Sequence, residues 1–300
     1  MMAEQISLQS GVRLARKEDF NALIELQMLC FGDSTESAAT FLQLRYQPDT
    51  CYIWEEEGSV LAMAYALPLT IQLAHSKISA AYFYAVATHP KAQGRGISTR
   101  LLEEAWHQLM QKGVQAALLV PATQELFGFY QKRGYQPVFS ILEGSGDTLP
   151  CVRLPLPDLR PIEAEKYLQL RRSCLKGSIY ADWELCHIRY QQELAVSSGG
   201  GLFAVEQHGQ SVGCAAVELT EDTAYVKELL APQPVLGLAV AALRQCFMPR
   251  SLHLRLWAKE DMRPALGENI LNPRPFTMAR AQNSELLLTM ADGYFNLPLD

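Results

Sequence analysis

The stretch THPKAQGRGISTRLL, residues 88–102, decides the fold. It places a glycine-rich turn between a β-rich run, AAYFYAVAT, and a helix whose apolar residues recur at helical spacing. A helix start leaves backbone N–H groups unpaired and carries a partial positive charge. Gly94 and Gly96 lack a Cβ, so a phosphate can approach that backbone closely. The stretch therefore predicts an anion site where the helix begins, although its spacing is neither the dinucleotide fingerprint nor the P-loop.

Short strands and helices surround this turn in the first half of the chain. The residue patterns predict a strand at Val12–Ala15, a helix through Phe20 and Leu29, a second helix capped by Asp33–Ser34, a hairpin turning at Glu57–Gly58–Ser59, a helix from Ile97 that stops at Lys112–Gly113, a strand VQAALLV and a helix at Gln124–Arg133. Antiparallel strands followed by alternating strands and helices predict an α/β fold with an α+β mixed sheet.

The second half of the chain repeats this order. CYIWEEEGSVLAMAYA in the first half compares with LFAVEQHGQSVGCAAV in the second, and AYFYAVATHP compares with AYVKELLAP. The comparison predicts a duplication, the alternative being that any two β-hairpins look alike. We expect domains at residues 1–145 and 155–300, joined within the glycine- and proline-rich stretch Gly144–Pro157.

A second motif, LFGFYQKRGYQPV at residues 126–138, is predicted as a helix that closes at a glycine. Together with the turn it resembles the GNAT superfamily of N-acetyltransferases. The pyrophosphate loop of that family has the pattern Q/R-x-x-G-x-G/A, which Gln93 and Gly96 match, with Ser98 in the last small position. The resemblance is specific over about residues 81–135. It implies two GNAT-like domains in tandem, the first of which binds acetyl-CoA.

The resemblance also implies roles for individual residues. An aromatic-Tyr-x-x-x-Gly-aromatic segment of the family is matched by Phe129–Tyr130 and Gly134–Tyr135. Tyr130 is the predicted general acid, since a tyrosine of pKa about 10 can protonate a thiolate whose thiol titrates near about 8.5. The alternative for Tyr130 is a core aromatic. The predicted cofactor-binding residues are Val86, Ala87, Thr88, Gln93, Gly94, Arg95, Gly96, Ile97, Ser98 and Thr123, the last standing where the family often has asparagine.

The reaction implied by the resemblance is transfer of an acetyl group from acetyl-CoA to a primary amine by direct attack. The acceptor is a small-molecule amine or, alternatively, a protein amino group. A non-catalytic acetyl-CoA-binding sensor is the competing interpretation. The strand AAYFYAVAT contains no carboxylate that would serve as a base. Solvent remains a candidate, as does the chain terminus at Asp300, because the loosely similar enhanced intracellular survival family brings its C-terminal carboxylate into the active site.

The second half has lost the glycine turn. Its aligned stretch, APQPVLGLAVAA, contains two prolines that lack N–H donors and keeps only Gly237. We expect a degenerate GNAT-like domain without a cofactor loop, which shapes the substrate pocket or a homodimer. The stretch after LHLRLWA, with Pro264, Pro273 and Pro275, is predicted to be loop-like.

Composition excludes several classes of protein. With 26 basic and 32 acidic side chains and a net charge of −6, the chain has no basic run for nucleic acid. The N-terminus lacks a signal-peptide core, and no stretch approaches the roughly 20 apolar residues of a membrane span. The seven cysteines are scattered without a C-x-x-C pair, which favours reduced thiols and a cytoplasmic location.

No metal site is predicted. The six histidines show no H-E-x-x-H spacing, and Cys186–His187 are adjacent, so they do not share a helix face. Two aromatic pairs, Tyr52 with Trp54 and Tyr82 with Tyr84, each project from one face of a strand. Sheet packing is the preferred interpretation of these pairs, with an amine pocket as the alternative.

Overall fold

A computed structural model describes residues 10–45, 48–146, 155–258 and 271–297. Its strands are β1 (Gly11–Leu14), β2 (Cys51–Glu56), β3 (Ser59–Gln72), β4 (Lys77–Thr88), β5 (Ala116–Leu119), β6 (Gln136–Ser145), β7 (Asp158–Pro161), β8 (Tyr180–Asp182), β9 (Gly201–Gln207), β10 (Gln210–Leu219), β11 (Thr223–Leu230), β12 (Ser251–Trp257) and β13 (Asn272–Ala281). Its helices are α1 (Phe20–Phe31), α2 (Thr35–Arg45), α3 (Ile97–Gln111), α4 (Gln124–Gln131), α5 (Ala164–Cys174), α6 (Leu185–Ser197), α7 (Gln233–Phe247) and α8 (Ser284–Met290). The predicted mixed α/β fold is confirmed.

The chain forms two compact units. The first consists of residues 1–69, 79–119 and 280–282, and the second of residues 70–78, 120–279 and 283–300. The division into domains at residues 1–145 and 155–300 remains a prediction. Of the predicted junction, residues 147–154 lie outside the described part of the chain. Within that part, no helix has the length and hydropathy needed to cross a membrane.

The first unit contains a five-stranded sheet in the order β1-β2-β3-β4-β5. β2 pairs antiparallel with β1 and β3, whereas β4 and β5 are parallel. Glu57 and Gly58 form the predicted hairpin turn with φ of 51° and 78°, because a two-residue turn of this type needs two left-handed residues. Helix α3 buries one apolar stripe, consisting of Ile97, Leu101, Leu102, Ala105, Trp106 and Leu109.

The second half of the chain repeats the order of elements found in the first. β7, α5, α6, β9, β10, β11, α7 and β12 follow one another as β1, α1, α2, β2, β3, β4, α3 and β5 do, with the short β8 added. The β9–β10 turn at His208 and Gly209 has φ of 52° and 76°, matching the turn between β2 and β3. This repeated order is the one that the comparison of the two sequence halves predicts.

Strand β6 comes from the first half of the chain but pairs with strands of the second half. The second unit has the strand order β13-β6-β12-β11-β10-β9-β7, and β6 pairs antiparallel with both β12 and β13. Conversely, Arg280–Gln282 belongs to the first unit, where the Gln282 amide donates to the Gln115 carbonyl at 3.0 Å. Each unit is therefore completed by a segment from the other half of the chain.

The loop-like prediction for the stretch after β12 is wrong for residues 272–281, which form β13. Pro273 and Pro275 lie inside this strand, where they supply no N–H to a ladder. The pairing with β6 shifts register between Pro275 and Thr277, so the strand accommodates its prolines at an irregularity. Pro264 lies outside the described residues.

One carboxylate ties together three strands of the second unit. Glu143 on β6 pairs with His253 at 3.1 Å and Arg255 at 3.6 Å on β12, and with Arg274 on β13. Burial opposes ionisation of Glu143, but hydrogen bonds from His253 and Arg274 and the charges of the two arginines outweigh it. Together they lower its pKa from 4.5 to about 2.

Replacing this carboxylate is expected to lower stability at neutral pH and to make stability less sensitive to acid. Because the pKa is lower in the fold, the stabilisation is fully present above about pH 5 and is lost as the pH falls toward about 2. Glu143→Gln should lower the free energy of unfolding at neutral pH by about 1–3 kcal/mol and flatten its decline below pH 5. Denaturant unfolding between pH 7 and pH 3 measures both effects.

The matched control is Glu206→Gln, which removes a carboxylate from a pair with Arg160, whose side chain is 65% exposed. Exposed ion pairs contribute about 0–1 kcal/mol. Equal effects of the two substitutions would contradict the special role of Glu143.

Candidate functional site

A tight glycine turn joins β4 to α3. After Thr88 a single turn of 3-10 helix spans Pro90–Ala92, and Gln93 is extended with φ of −64° and ψ of 157°. Gly94 and Gly96 have φ of 76° and 74°, and a Cβ built on either would meet no atom within 4 Å. The space beside both glycines is therefore open, and their left-handed backbone explains why glycine stands there.

The start of α3 offers unpaired backbone donors. The first bond into the helix runs from the Arg100 amide to the Gly96 carbonyl at 3.2 Å. Amides earlier in the first turn, including those of Ile97 and Ser98, have no intrahelical acceptor. The 15-residue helix adds a partial positive charge at this end. This geometry suits an anion, and the anion site itself remains a prediction.

Arg95, between the two glycines, is the cationic side chain of the turn. Its Nη2 donates to both carboxylate oxygens of Glu56 at 2.8 and 2.7 Å. The Trp54 ring nitrogen donates to the same carboxylate at 3.4 Å. The hydrogen bond from Arg95 holds the pKa of Glu56 below its usual value. Glu56 thus holds Arg95 at the end of β2, where its side chain remains 47% exposed.

The C-terminal end of β4 lies beyond its pairing with β5. The register between these strands runs from Ala80 to Tyr82, and Ala85, still within β4, then adopts φ of 47°, a left-handed conformation. Val86 and Thr88 are half-buried, and Ala87 is 4% exposed. This segment therefore carries backbone groups that the β5 ladder does not use.

Two side chains meet the carbonyl oxygen of Thr88. Gln93 Nε2 donates to it at 3.2 Å, and Cys30 Sγ at 3.5 Å. The Thr88 hydroxyl oxygen is itself buried and has no hydrogen-bond partner among the described residues. An unpaired buried polar atom costs about 1–3 kcal/mol, so a ligand that bonds to it is favoured. Open glycines and an orphaned hydroxyl both fit a bound acetyl-CoA.

Sequence reasoning missed Cys30. The available signal was helical spacing, since Leu23, Leu26 and Gln27 form the buried face of α1 and Cys30 continues it. Burial raises the pKa of the Cys30 thiol despite its hydrogen bond to Thr88. It is therefore a neutral thiol at the end of β4.

The aromatic side chains of the first unit pack against one another. Phe41 on α2 lies 5.0 Å from Tyr65 and 4.9 Å from Tyr84, measured between ring centroids, and Tyr82 lies 6.3 Å from Tyr84. Tyr52 is fully buried and Trp54 is 9% exposed. These contacts agree with sheet packing, the preferred interpretation of the sequence.

Thr123 and Tyr130 belong to the second unit, with Thr123 at the N-cap of α4. Tyr130 is 7% exposed, and its ring makes edge contacts with Phe129 at 5.1 Å and Tyr135 at 5.7 Å. Gly134, in the turn that follows α4, has φ of 81°, and the Tyr135 amide donates to the Tyr130 carbonyl at 3.2 Å. The motif thus fixes the ring of Tyr130 from both sides.

The Tyr130 hydroxyl stays protonated over a wide range of pH. Burial raises its pKa to about 12, opposed by the charge of Arg133. A protonated hydroxyl can donate a hydrogen bond to a ligand atom.

The second half of the chain has no open glycine turn at the position equivalent to the β4–α3 turn. Pro232 caps α7, Pro234 lies in its first turn, and Gly237 lies inside the helix, so no glycine turn precedes it. On β11, the carboxylate of Glu228 is fully buried and accepts hydrogen bonds from Arg171 at 3.0 Å and Tyr167 at 2.7 Å. A buried ion pair therefore lies near the end of β11, and a proline-capped helix begins where the first half has the glycine turn.

The predicted site residues divide between the units. Gln93–Ser98 and Val86–Thr88 lie together in the first unit, while Thr123 and Tyr130 lie in the second. Asp300, the candidate base at the chain terminus, lies outside the described residues.

Solved structures with a similar fold include proteins named as acyltransferases. A GCN5-related N-acetyltransferase from Anabaena variabilis aligns with a TM-score of 0.75 and 16% identity, over 92% of this chain and 73% of that one. A probable N-acyltransferase from Enterococcus faecalis gives 0.70 and 18%, over 91% and 73%. Eis1 from Mycobacterium abscessus gives 0.69 and 12%, over 92% and 75%. At these identities the likeness shows the fold alone.

The comparisons by sequence identify a family for part of the chain. No curated protein matches the chain. Residues 11–138 match the family model described as an acetyltransferase (GNAT) domain, a range that includes β4, the glycine turn, α3 and α4. Residues 11–138 of this chain are therefore a GNAT acetyltransferase domain.

Proposed function

We propose that the chain transfers an acetyl group from acetyl-CoA to a primary amine. The observation that carries this proposal is the turn at Gly94–Gly96, whose open backbone and unpaired helix-start amides suit a diphosphate. Acetyl-CoA supplies an activated acyl thioester. The residues proposed to hold it are those of the turn, together with the backbone of Val86–Thr88 and Thr123.

The strand end suits the extended arm of such a molecule. Backbone groups of Val86 and Ala87 lie beyond the β5 register, so the β5 ladder leaves them to an extended ligand in the manner of an added strand. The orphaned Thr88 hydroxyl offers one further polar contact. Arg95, which is itself exposed, is available to a phosphate oxygen in exchange for its half-buried partner Glu56.

Tyr130 is the proposed general acid. Its pKa of about 12 keeps it protonated at neutral pH, so its hydroxyl can donate to the departing sulfur. Complete proton transfer to a thiolate would be uphill, since a thiol titrates near about 8.5. The hydroxyl therefore acts chiefly by a strong hydrogen bond that forms as negative charge develops. We assign the amine proton to solvent.

A thiol-release assay with a panel of amines tests this function. Free CoA thiol should appear only when both acetyl-CoA and an accepted amine, either a small molecule or a protein amino group, are present. Tight acetyl-CoA binding with no thiol release across the panel would instead support the non-catalytic sensor. The described cysteines are free thiols, which supports a reducing, cytoplasmic location.

One acetyl-CoA is expected to bind per chain. The second half lacks a glycine turn before α7, and two prolines remove donors from its start. Calorimetric titration should therefore give a stoichiometry of one. Two equivalent sites would contradict the proposal that the second half is a degenerate domain.

A further inference from the structure

Three metal-binding side chains meet at the start of α6. Glu184, Cys186 and His187 each offer one ligand atom, and these atoms all lie within 4.8 Å of one another. We propose that this cluster is a binding site for zinc or a similar divalent transition metal ion. The cluster belongs to the second unit and shares no residue with the proposed acetyl-CoA site.

The backbone at the helix start explains the convergence. Cys186 and His187 are adjacent, which is why the sequence analysis assigned them no metal. Glu184, however, precedes the helix with an extended backbone, φ of −70° and ψ of 157°. Its side chain therefore does not follow the helical spacing, and its Oε2 lies 3.7 Å from Cys186 Sγ. Glu184 at the N-cap thus adds a third ligand to Cys186 and His187, which would not bind a metal ion by themselves.

The donor set matches the chemistry of zinc. Thiolate, imidazole and carboxylate are all zinc ligands, at about 2.0–2.3 Å from the ion, and three protein ligands leave a fourth position to water. Separations up to 4.8 Å exceed those around a tetrahedral ion, so the site closes by rotation of the exposed Glu184 and the half-buried Cys186. Two anionic ligands balance a divalent charge, and the Cys186 thiol releases its proton on binding.

The surroundings hold one ligand in place and leave another accessible. His187 is 1% exposed, and its ring packs 5.0 Å from the buried ring of Trp183, measured between centroids. Glu184 is exposed, so an ion can enter from solvent on that side. A fixed imidazole beside a mobile carboxylate gives a site that is partly formed before the ion arrives.

Cobalt(II) is the probe, because a cobalt–thiolate bond gives a charge-transfer absorption that oxygen and nitrogen ligands do not. Titration of the full chain with Co²⁺ should produce this band with one ion per chain, and Zn²⁺ should abolish it by displacement. Cys186→Ser should remove the band and weaken Zn²⁺ binding by more than the roughly 10–100-fold that loss of an outer-shell partner costs. Cys246→Ser, at an exposed cysteine on α7, should change neither.

A second variant covers the case in which Cys186→Ser does not fold. Glu184→Gln alters only an exposed side chain, keeps the band and should lower the affinity for Zn²⁺. Zinc should also raise the midpoint of thermal unfolding of the wild type more than that of Glu184→Gln. Absence of the thiolate band, or an unchanged band in Cys186→Ser, would overturn the proposal.

Discussion

Gly96→Asp is expected to abolish measurable acetyl-CoA binding. Gly96 caps α3 in a left-handed conformation, with open space where the new carboxylate would stand. That carboxylate would occupy the proposed diphosphate site with the same sign of charge, and such juxtapositions cost several kcal/mol. Since each 1.4 kcal/mol is about tenfold, the affinity should fall by more than about 100-fold. Calorimetry with acetyl-CoA measures the loss.

Backbone strain must be separated from charge in this experiment. Gly113, which ends α3, has φ of +84° and also meets no atom within 4 Å. Gly113→Asp therefore imposes a similar conformational cost and the same charge in the same unit, away from the turn. It should retain acetyl-CoA binding. A folded Gly96→Asp protein with unchanged affinity would mean that the diphosphate lies elsewhere.

Tyr130→Phe is expected to slow the chemical step by about 10²–10⁴-fold with little change in acetyl-CoA affinity. The substitution keeps the ring and its contacts with Phe129 and Tyr135 while removing a hydroxyl that stays protonated. Single-turnover rates are the proper measurement, because slow product release would mask part of the loss in kcat.

The control for this prediction is another buried tyrosine of the second unit. Tyr190 on α6 is 5% exposed, against 7% for Tyr130, so Tyr190→Phe removes a hydroxyl of similar burial. Its single-turnover rate should match the wild type. If Tyr130→Phe did so too, Tyr130 would be a core aromatic and the departing thiolate would depend on solvent.

Local signals in the sequence predict the elements around the site. Ser34 caps α2 through its hydroxyl, which accepts from the Ser37 amide at 3.0 Å, and Gly113 and Gly134 end their helices with positive φ. Each signal acts over a few residues, through a cap, a turn or a periodicity. The glycine turn is predicted for the same reason.

Long-range pairing is beyond such signals. No local pattern in β6 predicts that this strand lies between β12 and β13. The prolines in β13 favour a loop when the sequence is read locally, because the irregular register that accommodates them depends on the pairing of β13 with β6. The contact between Cys30 and Thr88 joins residues 58 positions apart. The ligand cluster at α6 depends on one N-cap conformation, which periodicity alone does not reveal.

The exchange of segments between the halves constrains how the chain can be made. During synthesis, β6 is complete long before β12 at Ser251–Trp257 exists to pair with it. The Gln282 side chain donates to the Val114 carbonyl, 168 positions earlier in the sequence. This contact of the first unit therefore also forms only after residue 282 has been synthesised. Contacts of such separation slow folding and prolong the exposure of unpaired strands. We therefore expect the first half to be unable to complete its strand pairing while it alone has been synthesised, and β6 to stay unpaired until β12 has left the ribosome.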